Sequence, residues 1–118
     1  MGLIDDEAIE NLKSLEEATG KDLISALSKL YIETTPQIIA KINEHINSEE
    51  YKEASMEAHS LKSSSANLGV NSVRELCQTL EYGLNENRLT IQEIKILLNK
   101  LESNFIEVSK ELSNYCKV

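Results

Sequence analysis

Two histidines and two cysteines are the imidazole and thiol nucleophiles available to this chain of 118 residues, and their settings differ. His59 stands in a segment of helical period whose apolar and small positions are Tyr51, Ala54, Ala58, Leu61, Ser65 and Leu68. At about 100° per residue that stripe centres near Ala58 and Leu61, so His59 points roughly 130° away from it, toward solvent. Ser55 and Ser63 lie one turn to either side and Ala66 further on; all are small, which predicts a shallow clearing open to another protein. Lys62, three residues on, puts an ammonium within reach of anything negative attached to the ring. A solvated imidazole with a cation beside it and no steric cover suits a nucleophile for a charged group carried in by a partner. An exposed histidine on a polar face would share most of these features, and the residues alone leave both readings open.

The other candidates carry less. His45 falls in the last turn of the preceding helical segment, where an imidazolium is favoured by the negative end of the helix dipole. Cys77 lies on an apolar stripe and reads as core, and neither it nor Cys116 belongs to a CxxC pair, so two reduced thiols are expected. There is no phosphate-binding GxxxxGK[ST] loop, no GxGxxG, no HExxH and no Cys/His cluster at zinc spacing. A bundle di-iron site needs Glu three residues before each His, yet Ile42 and Met56 hold those places. Neither a metal nor a cofactor is expected on this chain.

The elements that must position His59 are helical throughout. Ile9, Leu12 and Leu15 predict one face of a short first helix ending near Gly20. A second helix starts at Asp22 as N-cap, with Leu23, Leu27, Leu30, Tyr31, Ile38, Ile42 and Ile46 as its stripe. Pro36 interrupts it; because the register continues through the proline, one kinked helix is preferred to a break at Thr34-Thr35. Asn47 or Ser48, with Glu50 as a capping-box partner, opens the helix carrying His59, and Gly69 ends it. Ser72 and Glu75 predict a further capping box, followed by Val73, Leu76, Cys77, Leu80 and Leu84 facing inward. Thr90 and Glu93 repeat the device for a last helix whose stripe runs Ile91, Ile94, Leu98, Leu101, Phe105, Val108, Leu112, Tyr115.

Long helices on short connections predict antiparallel neighbours. The expected fold is all-α: an up-down antiparallel four-helix bundle with a short additional N-terminal helix, residues 1–118 forming a single domain. With aromatics at 4% and no tryptophan, Leu, Ile, Val and Ala must fill the core. Twelve Lys and Arg against twenty Asp and Glu leave a net charge of −8, which argues against nucleic acid or an anionic membrane as partner. No apolar run approaches the roughly 20 residues of a membrane span. No signal peptide is expected at the N-terminus, which shows no basic or apolar leader pattern, and Asp6 stands where a myristoylation motif on Gly2 wants Ser or Thr. A cytoplasmic protein is expected.

The segment Ala58-His59-Ser60-Leu61-Lys62-Ser63-Ser64-Ser65-Ala66-Asn67-Leu68-Gly69-Val70 resembles the signature of the histidine-containing phosphotransfer (HPt) domains of bacterial phosphorelays. The pattern is a His, a Lys three later, a small residue four later, and Leu-Gly closing the helix. Leu76-Cys77-Gln78-Thr79-Leu80-Glu81 resembles the family's next helix. The resemblance implies that His59 is the phosphoacceptor and that Lys62 stabilises the phosphoryl oxygens. Ser63 takes a place that is often Gly in the family, which narrows the clearing slightly. Glu81 matches a polar side chain that often orients the imidazole, a solvated helix acid being its other reading.

The function implied is a two-component relay. His59 accepts a phosphoryl group from a receiver-domain aspartate and passes it to another receiver, with no ATP-dependent kinase activity of its own. Mg²⁺ is expected on the partner receiver. The implied partners are response-regulator receivers, a hybrid sensor histidine kinase, or both, met by a monomer. A passive four-helix interaction module is the competing reading, and an HPt domain cut from a larger kinase would share the chemistry. The start at Met1 fits a free-standing protein.

Overall fold

A computed structural model of the chain describes residues 3–116. Met1 and Gly2, on which the signal-peptide and myristoylation readings partly rest, lie outside the described residues. Five α-helices are present and, among the described residues, no strand: α1 Asp6–Thr19, α2 Leu23–Asn47, α3 Tyr51–Leu68, α4 Asn71–Asn85 and α5 Ile91–Leu112. A 3-10 turn, Ser113–Tyr115, follows α5 and takes Tyr115 off the helical stripe. Each of α2 to α5 packs on the next in chain order and α5 closes back on α2, while α1 lies against α2 and α3. The result is a rod of 45 × 24 × 22 Å.

Helix ends show where local chemistry decides and where packing overrides it. At α5 the predicted capping box is complete: Glu93 N–H donates to Thr90 Oγ1 and Thr90 N–H donates to Glu93 Oε1, both at 3.1 Å. Gly20, at φ +70°, closes α1, and Asp5 caps its start by accepting from Glu7 N–H. Asp22 does occupy the N-cap of α2, but the cap bond there runs from Ile24 N–H to Glu16 Oε2 of α1.

Two predicted boxes are absent. Glu50 is itself the N-cap of α3, and its carboxylate meets His45 Nδ1 at 3.1 Å instead of an amide. At α4 only Gly69 and Val70 separate the helices, and the full burial of Val70 sets the helix start at Asn71. Ser72 therefore sits inside the first turn, and Glu75 is exposed beside Arg74.

The core is built as expected from aliphatic side chains, with shifts in register. α2 runs unbroken through Pro36, which lies on the solvent side. Its buried line is Ile24, Ser28, Tyr31, Thr35, Ile39, Ile42 and Ile46, steps of three and four residues that pass through Ser28 and Thr35. Leu30 lies one residue off this line, about 100° round the helix, and is exposed. Leu15 is exposed for a related reason: an i, i+3, i+6 row drifts about 60° per step, so it has turned away from Ile9 and Leu12. Ile91 is exposed in the first turn of α5, and Cys77 is fully buried as predicted.

Two contacts tie the N-terminal segment to the site's helix and to α5. Asp5 N–H donates to Gly69 O at 2.8 Å, and Leu3 and Ile4 N–H both donate to the Glu111 carboxylate at 3.1 Å. No helix among the described residues is long and apolar enough to cross a membrane.

Candidate functional site

The inner face of α3 carries Ala54, Ser55 and Ala58, all buried, and α3 makes its most extensive packing against α4. Small side chains on that seam let the two helices approach closely. Glu81, in the later half of α4, then comes within reach of two residues of α3. His59 Nδ1 lies 2.7 Å from Glu81 Oε2, and Lys62 Nζ donates to Glu81 Oε1 at 2.6 Å. The glutamate side chain is 13% exposed, Lys62 21% and His59 59%, so a sheltered carboxylate holds an imidazole that stands in solvent.

Burial of Glu81 pushes its pKa up, but the hydrogen bonds and charges of Lys62 and His59 outweigh that and hold it below the usual glutamate value. Its hydrogen bond to Glu81 in turn raises the pKa of Lys62. An ionised carboxylate can only accept, so Nδ1 must be the donor in the pair with Oε2. In the neutral imidazole this leaves the lone pair on Nε2, away from the carboxylate.

His59, Lys62 and Glu81 are thus brought together, and Ser63 lies beside them, exposed. Ser55 is a correction. It is buried rather than part of the clearing, and its Oγ donates to the Glu81 main-chain carbonyl at 3.2 Å. Helical geometry explains this: relative to His59, Ser55 and Lys62 lie about 40° and 60° round to one side, the side of α4. Met56 and Ser63 lie the same angles round to the other side, and both are exposed. The open flank is therefore bordered by Met56, a residue sequence reasoning passed over although its i−3 spacing from His59 marks it. Tyr82 was also missed; it follows Glu81, is exposed, and its ring centroid is 5.7 Å from Lys62 Nζ.

The remaining candidates stay apart from this site. His45 pairs with Glu50 at the turn between α2 and α3. Burial, reinforced by the charge of Glu81, pushes the Cys77 thiol up to about 12, which makes it a poor nucleophile. Among the described residues there is no group of three or more His, Cys, Asp or Glu placed to hold a metal ion.

Residues 26–104, well over half the chain, match the family model of the Hpt domain, and the match spans His59, Lys62 and Glu81. The chain belongs to the Hpt domain family. Membership implies histidine phosphotransfer in phosphorelays. Comparison with curated proteins and with solved structures finds no match.

Proposed function

We propose that His59 takes a phosphoryl group from a receiver-domain aspartate and passes it to a second receiver. The observation that carries this is the pairing of an exposed imidazole with a sheltered carboxylate through Nδ1, which leaves Nε2 as the outward lone pair. In the forward step the Nε2 electron pair forms the P–N bond as the P–O bond to the aspartate breaks, and the aspartate carboxylate leaves with that electron pair. The ring gains positive charge, which Glu81 offsets through the retained Nδ1–H. Transfer onward reverses these changes at a second aspartate.

Lys62 is the cation nearest the incoming phosphoryl oxygens, and Tyr82 and Glu81 limit where its ammonium can lie. Ser63 keeps the approach low. In this reading the receiver brings Mg²⁺ and most of the charge stabilisation of the transition state, and we take the chain to need no metal or cofactor of its own and to have no ATP-dependent kinase activity. We take α2 to α5 as an up-down antiparallel bundle with α1 added, residues 1–118 as one domain, and the protein as a cytoplasmic monomer. The closed ring of helix contacts and the short connections support the bundle.

The test is incubation with a phosphorylated receiver, scoring acid-labile, alkali-stable phosphate on this chain. The wild type gains it and His59→Gln, which keeps the fold because the site is exposed, does not. Phosphate on His45 in the His59→Gln protein would overturn the assignment.

A further inference from the structure

Three residues of α3 at four-three spacing meet one residue of α4, each through a different atom. Ser55 Oγ reaches the Glu81 main-chain carbonyl at 3.2 Å, His59 Nδ1 reaches Oε2 at 2.7 Å, and Lys62 Nζ reaches Oε1 at 2.6 Å. Two of these contacts end on mobile groups, an imidazole 59% exposed and an ammonium on a four-carbon stem. Ser55 is different: it is buried, has a single side-chain torsion, and grips the backbone. A main-chain carbonyl has two lone pairs, so it can accept this bond besides the one along its own helix.

We infer that Ser55 is a positioning residue for phosphotransfer, fixing the height of Glu81 along α3 and, through Glu81, the tautomer of His59. The inference rests on the role given above to Glu81. Residues on a helix rise about 1.5 Å each, so a slide of α4 by even part of one step would carry Oε2 out of hydrogen-bond range of Nδ1. The ring would then be free to place its proton on Nε2, the atom that must attack.

Ser65 provides the matched control. Its Oγ makes a buried bond of 2.7 Å to the Tyr31 hydroxyl, tying α3 to α2 instead of α4 and touching no group of the site. In ¹⁵N-labelled protein at mildly alkaline pH, long-range ¹⁵N–¹H spectra of the His59 ring report the tautomer directly. Ser55→Ala is expected to raise the Nε2–H fraction and to slow single-turnover transfer from a phosphorylated receiver by about three- to tenfold. Ser65→Ala, which also loses one buried hydroxyl bond, is expected to lower Tm comparably and to move neither readout.

A wild-type tautomer or a wild-type transfer rate in Ser55→Ala overturns the inference. So does an equal shift in Ser65→Ala, which would mean general loosening of α3. Glu81→Leu separates the two levels. If it changes the tautomer while Ser55→Ala does not, only the role of Ser55 falls. If Glu81→Leu leaves the tautomer unchanged, the orienting role of Glu81 falls and this inference with it.

Discussion

Replacing Glu81 tests whether the carboxylate serves transfer or merely the surface. Each of its oxygens has its own donor, Nδ1 of His59 at 2.7 Å and Nζ of Lys62 at 2.6 Å. A hydrogen bond involving a charged group contributes about 1.5–3 kcal/mol when sheltered, whereas exposed ion pairs contribute about 0–1 kcal/mol. With the carboxylate 13% exposed and the imidazole 59%, the pair falls between these limits. We take the His59–Glu81 bond as about 1 kcal/mol, a factor of roughly five in the ratio of the two tautomers. Losing the anion also leaves the positive charge of the phosphorylated ring without compensation, a further ~1 kcal/mol at this exposure.

Glu81→Leu removes both contributions, and about 2 kcal/mol corresponds to a rate loss on the order of thirtyfold. Glu81→Gln keeps one carbonyl oxygen for Nδ1–H but turns its NH₂ toward Lys62, donor against donor, so a loss of about three- to fivefold is expected. Stability is read separately from rate. Glu81→Leu removes one partner of a sheltered pair and leaves the Lys62 ammonium without its carboxylate, so Tm is expected to fall modestly, limited by the ability of Lys62 to swing into solvent. Rapid-quench single-turnover transfer from a phosphorylated receiver, with circular dichroism melts on the same samples, reads both quantities. Equal, wild-type rates in the Leu and Gln variants would refute the orienting role and leave Glu81 a structural acid.

Three further outcomes are expected. Ser63→Gly should keep transfer at a helix cost of about 0.5 kcal/mol, while Ser63→Leu should stay folded yet slow transfer on the order of a hundredfold by holding the phosphorus off Nε2; a wild-type rate in the Leu variant would move the receiver's approach to another face. The Glu81 carboxyl should titrate below the ordinary glutamate value of 4.5 in a ¹³C NMR titration, and nearer to it in Lys62→Met. A depressed folded-state value means its stabilising contribution is complete above the ordinary carboxylate range and lost as pH falls through the lowered one, so a wild-type midpoint at or above 4.5 would contradict the pairing. Gly69→Ala should destabilise the chain, since Gly69 has φ +71° and an added Cβ would lie 2.7 Å from Ala8 Cβ and 2.8 Å from Asp5 Cβ. The left-handed backbone costs about 1–2 kcal/mol and the overlap about 1–3 kcal/mol, so thermal melts should fall on the order of 10 °C, and an unchanged Tm would mean that the N-terminal segment moves aside freely.

What was legible in the sequence divides by the range of the forces involved. The Thr90–Glu93 box is closed within one turn by the residues' own side chains, and it forms as predicted. The starts of α3 and α4 were misplaced because contacts other than a capping box decide them: His45 in the preceding helix draws away the Glu50 carboxylate, and Val70, buried in the core, is the N-cap of α4. His59 and Lys62 could be read from i, i+3 spacing on one helix. Glu81 lies 22 residues from His59, and only the resemblance to a family pointed to it. Ser28, Ser55 and Thr35 were not counted as core because hydroxyl residues do not register in an apolar pattern, although the buried line of α2 passes through two of them.

The weak apolar character of α3 and the existence of the site have one cause. A helix packed through Leu and Ile would hold its neighbour at the far end of the usual 8–10 Å range of interaxial distance, while Ala and Ser permit the near end. Ala54, Ser55 and Ala58 fill the buried positions in the first half of α3, and Leu61 and Leu68 anchor its later turns. Close approach to α4 allows a glutamate to span from its own backbone to two side chains on α3 while its main chain accepts from Ser55. A bulkier seam would bury more surface and add stability in proportion to area, but it would move the carboxylate away from Nδ1. The packing that gives up hydrophobic area along α3 is therefore the packing that sets the imidazole.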